Sequence, residues 1–122
     1  MIYEGKLLYF TQMLLPEAPD SLIMGYNKEE IGFCENNESE MWTYLIEHKL
    51  LFNTDYFTIR KFTSDGPFTK AFTNQSPARA VNWLGWQIVK EYQKRNKKTT
   101  LKQLMEMNDY QNLLKESRYS PD

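Results

Sequence analysis

A chain of 122 residues is one domain's worth of material, enough to bury a single core but not two. Its 15 Lys and Arg stand against 16 Asp and Glu, so no net field gathers polyanions or anionic lipid, and nucleic acid is a poor partner for it. With Cys34 as its one cysteine, no run of about 20 apolar residues and no basic-then-apolar leader, it is expected to hold no disulfide, no thiolate zinc cluster, no membrane span and no export signal of its own.

Periodicity predicts helices almost throughout and no two-residue alternation that calls for strands, so the expected fold class is all-α, one multi-helix domain over residues 1–122. The first helix covers about residues 1–15, with Tyr3, Leu7, Phe10 and Leu14 along one stripe, and Pro16 with Pro19 ends it. It opens without an N-cap, and Ile2 and Tyr3 already have core character. Asn27 caps a second, long helix, with Glu30 completing a capping box. Ile31, Cys34, Glu38, Met41 or Trp42, Leu45 and Phe52 step along its inner face, with His48 or Lys49 at the missing position and a break near Asn36-Asn37.

A third helical piece runs from Thr54 through Phe57 and Phe62 to the turn Ser64-Asp65-Gly66-Pro67, and Phe68 and Phe72 hold the following loop down. Ser76-Pro77 opens a helix that runs to about Asn96, with Val81, Leu84, Ile88 and Tyr92 on one apolar face. Two of the three tryptophans, Trp83 and Trp86, flank Gly85 in it. A glycine inside a helix costs about 1 kcal/mol relative to alanine, so Gly85 points to the close approach of another backbone, with the tryptophans wrapping the contact. Two short helices follow: Leu101–Met107, capped by Thr99 or Thr100, and Tyr110–Glu116, capped by Asn108 or Asp109.

Few residues have the spacing that chemistry requires. Glu38 interrupts an apolar stripe, and a carboxylate there needs a partner such as Arg60 or Arg79; a structural ion pair is favoured over a general base or metal ligand. Glu4, beside the close-packing Gly5, is a second acidic candidate. His48 is the only histidine, so a His-Glu-x-x-His zinc helix cannot be formed, and neither a Gly-x-Ser-x-Gly elbow nor a glycine-rich phosphate loop occurs. No metal and no cofactor is expected. Lys94, Arg95, Lys97 and Lys98 cluster at a helix end, where cations complement the macrodipole. Tyr9, Trp42 and Trp86 are candidates to line an aromatic groove.

Met1 to Phe10, the Leu15-Pro16 stop, Cys34 to Glu38 with Trp42, Trp83 to Val89 and the ending Ser117 to Pro121, in that order, resemble the C-terminal part of the gliding-motility lipoprotein B (GldB-like) family of Bacteroidetes. The resemblance spans essentially the whole chain. It implies distant kinship with gluzincin-type zinc metallopeptidases, with Glu4 at the downstream acidic ligand position and Trp83 to Val89 in the helix beneath the site. It implies a fragment or shortened version of a longer protein at the cell envelope or in the periplasm, working in scaffolding or interaction. The face bearing Ile2, Tyr3 and Phe10 is then expected to be incompletely covered, and a protein partner or self-association would cover it. The alternatives are half of a metallopeptidase-like hydrolase, completed by ligands from elsewhere, and a peptide-binding helical module.

Overall fold

The computed structural model describes residues 1–47 and 80–121, which form seven α-helices and no strand. They are α1 (Ile2–Leu14), α2 (Asp20–Met24), α3 (Lys28–Asn36), α4 (Glu38–Glu47), α5 (Ala80–Arg95), α6 (Leu101–Glu106) and α7 (Tyr110–Ser117). None of these helices is long and apolar enough to cross a membrane. The third helical piece, the Phe68–Phe72 loop, Ser76-Pro77, His48, Phe52, Arg60 and Arg79 all lie outside the described residues.

Local chemistry sets the helix ends. Asn27 Oδ1 accepts from the Glu30 amide at 2.8 Å while Glu30 Oε1 accepts from the Asn27 amide at 2.9 Å, a reciprocal cap that satisfies two otherwise orphaned donors. Thr100 and Gln103 build the same arrangement ahead of α6, and Asp109 caps α7 through the Asn112 amide. The predicted break near Asn36-Asn37 separates α3 from α4, and Asn37 Nδ2 turns back to the Phe33 carbonyl at 2.8 Å. Periodicity had no purchase on α2, which is only five residues long. Its signals are at its ends: Asp20 in the first turn and Gly25 after the last, in the left-handed region at φ 71°.

α5 is the central helix. From Ala80 to Trp86 every residue is buried, and Ile88, Val89 and Tyr92 carry burial on toward the C-terminus. Its largest interface is with α1, the next with α7, and α4 touches it more lightly. Two glycines make the first interface possible. A Cβ placed on Gly5 would sit inside the Gly85 carbonyl and 2.6 Å from the Trp86 nitrogen; one placed on Gly85 would overlap the Met1 carbonyl oxygen, with its carbon 2.7 Å away. Backbone therefore lies directly on backbone at the crossing, the close approach that Gly85 predicts. Trp86 flanks it, fully buried, with its indole N–H donated to Gln12 Oε1 at 2.9 Å.

The crossing fixes the orientation of α1, which the stripe alone left open. Tyr3, Leu7, Phe10 and Leu14 share a stripe, but that stripe is exposed; Ile2, Gly5 and Lys6 are the buried residues. Ile2, expected on an uncovered face, is only 4 % exposed, whereas Tyr3 and Phe10 are indeed open. Because α1 carries apolar side chains around most of its circumference, periodicity could not tell which side faces inward. The glycine decides it.

Lys6 is the unexpected core residue, 2 % exposed. Its ammonium donates to the carbonyls of Met105 at 3.1 Å and Met107 at 2.6 Å and lies 5.1 Å from the Tyr110 ring centroid, so it holds the C-terminal end of α6 against α1.

Cys34 faces inward from α3 and is fully buried. Burial first, then the charges of Glu30 and Glu35, push its thiol up to about 12. Native protein at pH 8 is expected to resist a disulfide-exchange reagent such as dithionitrobenzoate, with one thiol released on unfolding in denaturant. Labelling of the native state as fast as that of a free thiol would refute this placement.

Candidate functional site

The C-terminal turn begins the site. Arg118, just beyond α7, is held at φ 53°, ψ 32°, a left-handed conformation unusual for a residue with a Cβ. Ser117, fully buried, donates its hydroxyl to the Leu114 carbonyl at 2.6 Å and accepts the Tyr119 amide at 3.1 Å, so the chain reverses sharply. The reversal carries Tyr119 back onto α4. Its hydroxyl donates to Glu38 Oε2 at 2.5 Å, and its ring meets Trp42 edge-on, with centroids 4.9 Å apart and planes at 85°.

Above this floor opens a cleft of about 600 Å³ between the α3–α4 junction, the polar side of α5 and the tail from Arg118 to Pro121. The volume is that of a ligand site, but the walls are charged: Glu35, Glu38 and Glu91 against Lys90, Lys94, Arg95 and Arg118. Arg95 Nε lies 3.7 Å from Glu91, and Lys90 reaches Asp20 at 3.7 Å while its ammonium sits 4.4 Å from the Trp86 ring centroid. Lys94 and Arg118 have no carboxylate partner among the described residues. Such a cleft offers donors and acceptors of both signs, suited to backbone amides and mixed-charge side chains rather than to a polyanion.

Glu38 is the first residue of α4, where the helix dipole favours a carboxylate, and it is half-buried. Its partner here is a phenol; Arg60 and Arg79, the predicted partners, lie outside the described residues. Desolvation, then the hydrogen bond from Tyr119 to Glu38 and the charges of Glu38 and Glu91, raise the Tyr119 pKa above its usual 10.0. The folded state therefore keeps a proton that the unfolded chain releases, so this contribution to stability is whole below pH 10 and falls away as pH rises past it. Tyr119→Phe is expected to lose about 1–2 kcal/mol at neutral pH, since a hydrogen bond to a charged group goes, and to flatten the alkaline decline. Equal alkaline slopes for the two proteins in pH-dependent urea melts would contradict the assignment.

The other predicted residues are dispersed. Trp83 and Trp86 are core side chains, so Trp86 lines no groove; Tyr9 is half-buried, and Trp42 backs the cleft floor from behind Tyr119. Lys94 and Arg95 occupy the last turn of α5, and Lys97 and Lys98 are exposed just beyond it. Glu4, in the first turn of α1, pairs with the amino group of Met1 at 2.8 Å and borders a hollow of about 190 Å³ with Leu7, Leu8, Thr11, Met24 and Asn82. Aliphatic walls with one carboxylate, one amide and one hydroxyl are not a zinc ligand set, and no three His, Cys, Asp or Glu among the described residues converge to make one. Sequence reasoning missed Arg118 and Tyr119 as site residues. Their only signal was the Ser117-Arg118-Tyr119-Ser120-Pro121 ending, which carries no chemistry until it is folded back.

A family model described as gliding motility protein GldB matches residues 1–121. No curated protein and no solved structure matches the chain.

Proposed function

The chain belongs to the gliding motility protein GldB family, and from that premise we propose that it is a non-catalytic interaction domain of the bacterial cell envelope, whose mixed-charge cleft takes up a polypeptide segment of another motility component. The observation that carries this reading is the cleft itself, about 600 Å³, where Lys94 and Arg118 stand without a carboxylate partner among the described residues above the Tyr119–Glu38 floor. A partner segment bearing both acidic and basic groups finds complementary charges along it, whereas a polyanion meets three carboxylates.

The test is made in a gliding bacterium of the Bacteroidetes by replacing Lys94 and Arg118 with glutamate in the full-length protein. Colony spreading should be lost while protein abundance is unchanged, and a photo-crosslinker at Ser120 should give a defined protein adduct that the double variant loses. Wild-type spreading by the double variant would overturn the reading. The metallopeptidase alternative has its own readout. Stoichiometric zinc in protein purified without chelator, lost in Glu4→Ala, would replace interaction by hydrolysis as the activity to pursue.

A further inference from the structure

The outer face of α1 is apolar, open and free of charge. Tyr3, Leu7, Phe10 and Leu14 are 55, 43, 38 and 63 % exposed, and the only charged residues of the helix are Glu4 and the buried Lys6. A helix that is apolar around most of its circumference belongs in an interior, yet half of this one faces solvent. The spacing of the stripe is four, three, four, the a/d repeat of a helix-pairing seam over two heptads. It is also symmetric about the middle of the helix. When two copies lie antiparallel about a two-fold axis, Tyr3 faces the second copy's Leu14 and Leu7 faces its Phe10. Each facing pair is one aromatic ring and one leucine, so volumes match at every level, no like charges oppose and the two helix dipoles run head to tail.

We infer that this chain forms a two-fold antiparallel dimer through the Tyr3-Leu7-Phe10-Leu14 stripe of α1. The exposed parts of these four residues present roughly 400–450 Å² per copy, so the two-fold buries at most about 900 Å², in the range of weak, transient interfaces. Association is therefore expected to be weak, at micromolar to millimolar concentration. The contact shares no residue with the cleft and does not depend on its function.

Analytical ultracentrifugation of the full 122-residue chain over a concentration series tests the inference. The apparent mass should rise from 14.6 kDa towards twice that value. Leu7→Lys and Phe10→Glu, each alone, should weaken association at least about tenfold, because a charge is then buried against an apolar partner. Combined in one chain they should restore it, since the two-fold sets each new lysine against the other copy's glutamate; a parallel alignment would set like charges together. Both positions are exposed in the single chain, so circular dichroism should show unchanged helix content. Four outcomes would each overturn the inference: a monomer up to millimolar concentration, a dimer indifferent to both single variants, failure of the double variant to recover, or a monomer that floats with phosphatidylcholine vesicles.

Discussion

Gly5→Ala or Gly85→Ala should lower the melting temperature by about 10 °C or more, although alanine is intrinsically the better helix former by about 1 kcal/mol. The Cβ of either alanine meets backbone: the Gly85 carbonyl and Trp86 nitrogen in one case, the Met1 carbonyl in the other. A flexible side chain can swing aside, whereas a helix backbone can only be displaced as a unit. Separating α1 from α5 loosens the largest interface among the described helices, and about 3 kcal/mol or more is the expected loss, at or beyond the upper end for overpacking. The two substitutions should be less than additive, because helices already parted by one methyl accept the second at smaller cost. Gly32, within α3, is the internal control. An added Cβ there meets nothing within 4 Å, so Gly32→Ala should stabilise by about 0.5–1 kcal/mol through helix propensity alone. A rise in melting temperature for all three variants would show that the crossing is not as close as described.

Lys6 carries the second large effect. Removing the side chain in Lys6→Ala empties the space of its buried stem and leaves the Met105 and Met107 carbonyls without their donor, for an expected loss of about 3–4 kcal/mol. Lys6→Met separates the two terms, because it keeps the stem and discards only the ammonium; about half of the loss should remain. The pH dependence runs opposite to that of Tyr119. Desolvation lowers the Lys6 pKa below 10.5, so near that value the unfolded chain holds its proton when the folded one has released it. Stability from this group therefore rises as pH climbs towards 10.5. Urea melts of the three proteins between pH 7 and 10 measure both quantities. A methionine variant as stable as the parent would mean that the carbonyls find other donors and that Lys6 is a space filler.

Much of the local architecture was legible in the residues. Asn27 with Glu30, Thr99 or Thr100, and Asn108 or Asp109 announced three helix starts because a cap is made within one turn, and the structure selects Thr100 and Asp109. The break at Asn37 and the stop after Leu14 were legible for the same reason, as was the apolar density of Val81 to Tyr92, which no surface helix would carry. Gly85 was legible as a contact point because its helical context made it unfavourable without one. What it contacts was not, since Gly5 lies eighty residues earlier and only the crossing of α1 over α5 joins them.

The residues that govern α1 show where local reasoning stops. Tyr3, Leu7, Phe10 and Leu14 have the periodicity of an inner face, yet they point outward, and Lys6, which composition assigns to solvent, is in the core. Periodicity reports that like residues share a side; it does not report which side another helix covers. The same holds for Tyr119, whose bond to Glu38 links positions more than eighty residues apart through a reversal at Arg118 that composition does not reveal. The sequence by itself determined the class of fold, the starts of α3, α6 and α7, the stop of α1 and the need for a close crossing, because these depend on spacing within a few turns and on the conformational preferences of single residues. Tertiary structure alone decided the inward side of α1, the burial of Lys6 and the floor of the cleft, because these depend on which surfaces meet when the chain closes on itself.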